Sequence, residues 1–424
     1  KKIQNKQKKT SMMKNKTIEI ISVNKSNNFV GIKTGEGSVQ LYVPSVFRQD
    51  ENIKKDILIF IKSISIAKKL HQDKIQNGKN VNDKIWPIDS YLWIIRDYLD
   101  NGYYYNREKR YSNSNSGKID WKRTLRNMPI YSNGNIIYDK FVTSKMSATN
   151  DIIAQTYRLC LKQALQRIGW LFNYNFYVEI QQIFSISEMV AEIRRELNQT
   201  FDDVKNLRYK HMLKILRNTE GEKVASSICS YGITNYHYVF ETMVDMIFDG
   251  ITEEKSNYNP NGYWKLNNKK PKKASSLMPD TILKRDDKTY ILDAKMYQYG
   301  ATHDVSKLPN TQSLQKQITY GDYVHNNLGD QFVRNAFILP YNKELESFKK
   351  DKNLIRYYDD NLVYFGYAYV DWRTDNKEDY DYIHTFGIDF NYLLRNYNLL
   401  DYKLINNLIL SIEDRLKFIK ENKE

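Results

Sequence analysis

The sequence predicts an α/β protein of two or three modules: a small N-terminal accessory domain, a helical middle region and a mixed α/β C-terminal half. Three observations carry this. A chain of 424 residues exceeds one typical domain. From Ile153, the apolar residues Tyr157, Cys160, Ala164, Ile168 and Leu171 recur at spacings of three and four, which is one face of a helix. From Asp280 onward the sequence turns to short runs of strand length and closes on two helices, which makes the C-terminal half mixed α/β.

The elements follow in order. Residues 1–16 form a flexible basic leader rich in Lys, Asn and Gln, with Met12-Met13 as a candidate native start. Thr17 to Val23 and Phe29 to Val43 are β-type runs, the second broken by the hairpin-like Gly35-Glu36-Gly37. Phe47 to Lys68 is rich in Ile at mixed spacing, which leaves helix and strand both open. Asn77 to Asp83 is a polar linker; Trp86 to Tyr98 is a helix entered near Pro87 and Asp89. Asn101 to Lys118, dense in Tyr, Asn, Ser and Arg, reads as a long loop. Asn150 is the expected cap of the next helix, and Ser187 to Leu197 and Asp203 to Leu216 continue as helices. A helix over Tyr238 to Phe248 precedes strands at Asp280 to Arg285, Thr289 to Tyr297, Ala336 to Leu339 and Val363 to Val370. Helices over Asp389 to Tyr397 and Leu404 to Ile419 close the chain. The expected domains are an accessory domain over 17–116, a mainly helical region over 117–230 and a catalytic domain over 231–424.

Lys and Arg total 65 against 50 for Asp and Glu, and the net charge of +15 points to a polyanionic partner. Codon bias toward Lys, Asn, Ile and Tyr explains part of the same excess. Cys160 and Cys229 lie in apolar contexts without Cys-x-x-Cys spacing, which argues against a disulfide framework or a zinc site. There is no run of about 18 apolar residues, and the polar leader lacks the apolar segment of a signal peptide, so no membrane contact and a cytoplasmic location are expected.

The chemistry concentrates in Pro279-Asp280-Thr-Ile-Leu-Lys-Arg-Asp-Asp-Lys-Thr-Tyr-Ile-Leu-Asp293-Ala-Lys295. With Asp286-Asp287 as the turn of a hairpin, Asp280 lies opposite Asp293, although Asp-Asp is not the favoured turn pair. Asp293 and Lys295 are two residues apart and project from one strand face. Opposed carboxylates repel unless a cation lies between them. Magnesium suits the pair, together with the carbonyl of Ala294, because it takes a few carboxylate oxygens and completes its shell with water and phosphate. Such an ion polarises a phosphodiester and lowers the pKa of a water, while Lys295 holds or helps deprotonate that water. The bare pattern Asp-x-Lys recurs by chance. Here, though, the apolar Tyr290-Ile-Leu runs straight into it, so the charges end a buried strand.

This arrangement resembles the PD-(D/E)XK nuclease superfamily. The resemblance implies a restriction-endonuclease-like core, with the helix Tyr238-Val-Phe-Glu241-Thr-Met-Val-Asp-Met-Ile-Phe248 supplying Glu241 as a further metal or water ligand and Asp245 as its competitor. Gln315-Lys316-Gln317-Ile-Thr-Tyr320 resembles the Gln and Tyr helix beside such sites, with Gln317 and Tyr320 in support and Lys316 toward DNA. More narrowly, Gly117-Lys-Ile-Asp-Trp121-Lys-Arg-Thr124, Tyr231-Gly-Ile-Thr-Asn-Tyr-His-Tyr-Val-Phe-Glu241 and the hairpin are similar to the LlaJI-type restriction endonucleases, related in organisation to McrC nuclease subunits.

That likeness implies a type II-like, Mg2+-dependent restriction endodeoxyribonuclease, with Mn2+ able to substitute. Its partners would be double-stranded DNA and a McrB-like AAA+ GTPase, GTP acting only through that subunit; a homodimer stays open. The 17–116 region would then dock the GTPase or bind DNA. Two other readings compete: a DNA-binding or scaffold protein with a nuclease fold, and a transposition or repair nuclease.

No Gly-x-x-x-x-Gly-Lys-Ser/Thr loop occurs. The histidines show no paired metal spacing; His237 and His303 lie near the candidate catalytic elements in sequence and could touch substrate, but packing or loop roles are expected for both. Tyr103-Tyr104-Tyr105 beside Arg107, Lys109 and Arg110 suits stacking and phosphate contact, with Arg107 and Arg110 as candidate DNA contacts.

Overall fold

A computed structural model describes residues 17–23, 28–34, 38–49, 52–70, 84–113, 118–138, 140–149, 151–172, 177–181, 184–219, 229–357, 360–373 and 377–422. The leader therefore lies outside the described residues. The chain forms two compact units, one of residues 83–231 and one assembled from 17–34, 38–82 and 232–424.

The assembled unit starts with β1 (Thr17–Ser22), β2 (Val30–Thr34) and β3 (Ser38–Val43). β2 and β3 pair antiparallel, as the hairpin reading expected, while β1 runs parallel to β3. The undecided Ile-rich segment is helix α1 (Ile53–Leu70), which buries Ile57, Phe60, Ile61 and Ile64. Their spacing of three and four is the helical one.

In the 83–231 unit, α2 (Ile88–Asn101) is followed by β4 (Asn106–Asn113) and β5 (Val142–Thr149), then α3 (Ile152–Ile168), α4 (Ile186–Gln199) and α5 (Asp203–Thr219). α2, α3 and α5 pack around Ile94, Tyr157, Leu161, Tyr209 and Met212. Two readings are corrected here. The stretch expected as a loop over 101–118 contains β4, paired antiparallel with β5 from Asn106↔Thr149 to Asn113↔Val142. The cap of α3 is Asp151, whose side chain accepts from Ala154 N at 3.0 Å, in place of Asn150. Cys160 is buried in α3, and burial pushes its thiol up.

The chain re-enters the assembled unit at α6 (His237–Ile247). Then come β6 (Thr281–Arg285), β7 (Lys288–Ala294), α7 (Thr311–Tyr323), β8 (Phe332–Tyr341), β9 (Ile355–Arg356), β10 (Leu362–Ala368) and β11 (Ile383–Asp389), closed by α8 (Phe390–Asn396) and α9 (Tyr402–Asn422). The six strands form one sheet in the order β6-β7-β8-β11-β10-β9, with β7, β8 and β11 parallel and the outer strands antiparallel. α7 is the crossover that parallel β7 and β8 require.

The units depart from the boundaries read in sequence. The 116/117 boundary falls inside the unit that contains the β4–β5 ribbon. Residues 17–70, expected within a separate accessory domain, pack with the C-terminal half. Arg48 pairs with the buried Asp389 at 3.0 Å, and Arg395 with the buried Asp56 at 2.9 Å. No described helix is long and apolar enough to cross a membrane.

Candidate active site

The candidate hairpin takes the register expected from its sequence, from Thr281↔Leu292 to Arg285↔Lys288. Asp286, with φ 53°, opens the turn in the left-handed region, which Asp tolerates better than bulkier residues. Along β7, every residue from Thr289 to Ala294 is buried. Asp293 is 1% exposed at the end of this run.

Across the hairpin, Asp280 directs Oδ2 to the backbone N–H of Ala294 at 2.9 Å, which fixes it beside Asp293. Both carboxylate oxygens of Asp293 are buried, and the Lys295 ammonium pairs with one of them. Lys295 is itself held in place by its backbone N–H, which donates to Ile338 O at 2.9 Å.

Burial pushes the Asp280 carboxyl well above the ordinary carboxylate range, the charges of Asp293 and Glu241 add to this, and Lys295 opposes it. For Lys295, burial favours loss of the proton, yet the charges of Asp293 and Asp280 outweigh it and hold the ammonium above the ordinary lysine range. Lys295 is therefore a cation at neutral pH, better suited to holding an anion or a water than to abstracting a proton.

The opposite wall is α6. Its apolar residues Phe240, Met243, Val244 and Ile247 are buried toward α1 and β7, which turns Glu241 and Asp245 to a cavity of about 590 Å³. Asp280, Lys316, Lys255, His237 and the 276–279 segment line the same cavity. The two acidic competitors differ in their partners. Lys255 binds Asp245 at 3.1 Å and also donates to Asp280 O at 2.5 Å, whereas the charge of Glu241 acts on Asp280. Lys255 had no signal in the sequence beyond being one lysine in a loop.

Gln317 and Tyr320 both lie on the buried face of α7, with different tasks. Gln317 donates to Ile291 O at 2.8 Å and to Asn335 Oδ1 at 3.2 Å, clamping the helix to β7 and β8. Tyr320 donates to Met278 O at 2.8 Å and so anchors the segment entering Asp280. Lys316 faces the cavity, with its ammonium 5.4 Å from the Tyr320 ring centroid. Arg107 and Arg110 belong to β4 in the other unit, where they pair with Ala148 and Lys145; their side chains lie outside the described residues. His303 has a packing role, pairing with Asp351 at 3.0 Å and lying against Phe348.

Among the described residues, no three His, Cys, Asp or Glu side chains form a closed metal cage. The donors present are those of an open site: two carboxylates, Asp280 just before β6 and Asp293 near the end of β7, the second with both oxygens buried. That set fits magnesium, which binds through one or two carboxylates and keeps several waters.

Comparison with known proteins gives a family. The model described as "LlaJI restriction endonuclease" matches residues 38–357. The curated "Type II restriction enzyme BsuMI component YdjA" of Bacillus subtilis (strain 168) is 22% identical over 349 residues, covering 76% of this chain and 74% of that protein. Two solved structures are also similar. One is a refined half-complex from a tetradecameric assembly of Thermococcus gammatolerans McrB AAA+ hexamers with bound McrC, at 14% identity and a TM-score of 0.42, covering 92% of this chain and 83% of that one. The other is the Thermococcus gammatolerans McrBC complex, at 13% identity and a TM-score of 0.22, covering 45% and 58%.

Proposed function

This chain belongs to the LlaJI restriction endonuclease family, and from that premise we propose that it is a magnesium-dependent DNA endonuclease of PD-(D/E)XK type, acting in a restriction system. The observation that carries the reading is the buried Asp293, touched by Lys295 and set beside Asp280 at the wall of a cavity shared with Glu241.

Asp280 and Asp293 would hold the ion, with Glu241 acting on it or on one of its waters. Bound there, magnesium would offset the carboxylate repulsion, polarise the scissile phosphodiester and ease deprotonation of the attacking water. The chain's own groups do the rest. Lys295, kept charged by its neighbours, stabilises negative charge gathering on the phosphate and orients the water. Lys316 supplies a second cation at the cavity wall. Tyr320 holds the 278–280 segment in position through Met278 O, and precision at that level governs how well reacting groups meet.

The test is plasmid cleavage with Mg2+ or Mn2+, which should both support cutting, and with Ca2+, which should support binding alone because it sets the attack geometry poorly. Full activity in excess chelator would exclude the mechanism.

For the partner, we propose a McrB-like GTPase. The support is the similarity of the 117–124 and 231–241 segments to a family organised like McrC, together with a sequence that has no phosphate-binding loop of its own. Adding that GTPase with GTP should accelerate cleavage; site-specific cutting by this protein alone would refute the partnership.

A further inference from the structure

We propose that the small hairpin of Tyr263–Trp264 and Lys272–Lys273 is a DNA-gripping element at the rim of the catalytic cavity, its lysines holding backbone phosphates beside the scissile bond and Trp264 packing against an adjoining nucleotide. This rests on the nuclease reading above and adds the surface that would hold its substrate.

The first ground is charge. Between Lys255 and Asp280 there is no Asp or Glu, while Lys265, Lys269, Lys270, Lys272 and Lys273 place five positive charges within nine positions. All five are exposed. A run of lysines is ordinarily a solvated face, so position must decide.

Position is the second ground. The stem of the hairpin is fastened by Ala274 N donating to Gly262 O at 2.8 Å, Leu277 N to Pro260 O at 3.0 Å and Ser276 Oγ to Asn261 Oδ1 at 2.6 Å. The residues just below these ties, Asn259 and Ser276 to Met278, are part of the wall of the cavity that holds Asp280 and Glu241. The cavity that holds these carboxylates thus has a basic hairpin built directly on its rim. A polyanion would be drawn to the lysines while one phosphate comes to rest over the carboxylates, where a cation can bridge them.

The third ground is the aromatic pair. Trp264 is 70% and Tyr263 64% exposed. They alternate across the ribbon, Tyr263 opposite Lys273 and Trp264 opposite Lys272. Each face therefore presents one ring beside one ammonium, which is the combination that engages a nucleotide by stacking on its base or sugar and pairing with its phosphate.

The full chain should be titrated in Ca2+ with a labelled duplex over a range of salt, comparing wild type, Trp264→Ala and the quadruple variant K269Q/K270Q/K272Q/K273Q. In the quadruple variant, the slope of log affinity against log salt should fall by roughly 2–4, about 0.9 for each phosphate no longer neutralised. In Trp264→Ala, affinity should drop about tenfold or more with the slope unchanged, and Trp264→Phe should restore most of it. Variants that bind with wild-type affinity and slope overturn the proposal. So does unchanged DNA binding combined with failure to co-purify the GTPase, which would assign the hairpin to a protein partner. If wild type itself binds no duplex, the nuclease reading has failed first.

Discussion

Replacing Lys295 by Met tests the electrostatics of the site independently of its chemistry. Asp293 is 1% exposed and Lys295 18%, and the two are in contact. Removing one partner of a buried ion pair costs about 3–5 kcal/mol, because the other charge stays buried without compensation. The partial exposure of Lys295 brings the expected loss below that range, to about 2–3 kcal/mol, since water reaches the pair from one side. For a unit of this size, each kcal/mol moves Tm by about 2–4 °C, so Lys295→Met should melt roughly 4–12 °C early in chelator at neutral pH. Asp293→Asn removes the same ion pair but also one of two repelling carboxylates, and Asp280 remains as a partner for the ammonium. Its loss should therefore be about 1 kcal/mol or less. Magnesium should raise the Tm of Lys295→Met more than that of wild type, because the ion replaces the missing cation. The assay is thermal denaturation of the three proteins with and without Mg2+. The reasoning is refuted if Lys295→Met melts within about one degree of wild type, or if Asp293→Asn falls as far as Lys295→Met.

Three further outcomes are expected. Asp280→Ala, Asp293→Ala and Lys295→Ala should each abolish plasmid cleavage, while Glu241→Gln should slow it and Asp245→Asn should slow it less; wild-type cutting by any of the first three shows the site is misassigned. Below the carboxylate range a second pair should fail: burial favours protonation of Glu413, but hydrogen bonds and charges from Lys288 and Arg334 outweigh it and hold its pKa below the ordinary value. Because the folded value is the lower one, that stabilisation is complete above the unfolded pKa of about 4.3 and is lost as pH falls through the folded value, so Glu413→Gln should flatten the fall of Tm with acid. Deleting residues 1–116 should cost all cleavage, nonspecific nicking included, since the cut removes α1 from against α6 and Arg48 from Asp389; nicking by a folded remainder would contradict this packing.

The β6–β7 hairpin was legible because its determinants are neighbours. A two-residue turn sets the register, alternation sets the faces, and the apolar run before Asp293 announces burial. The helix bearing Glu241 was equally plain from its periodicity. How its two acids differ was not, because the difference lies with Lys255, in a short 3-10 turn, which pairs with Asp245.

Strand β11 escaped the sequence reading altogether. Its His384, Thr385 and Asp389 interrupt the apolar pattern, yet all seven residues are buried, and the strand exists through its pairing with β8 and β10. β4 was hidden in the same way, its partner lying beyond an intervening segment of the chain. The N-terminal strands had their own local signals and the Ile-rich segment of α1 left helix and strand open, but nothing local assigned either to the unit of the β6–β7 hairpin. That assignment depends on Arg48 meeting Asp389 and Asp56 meeting Arg395, across 341 and 339 residues of chain. What this sequence determined by itself was what adjacent residues dictate: helix faces, strand alternation and one short hairpin. Membership of the sheet, the pairing of Asp245 with Lys255 and the unit boundaries were decided by tertiary structure, because buried charges and unpaired strand edges are satisfied by whichever partner the fold brings near, however distant in sequence.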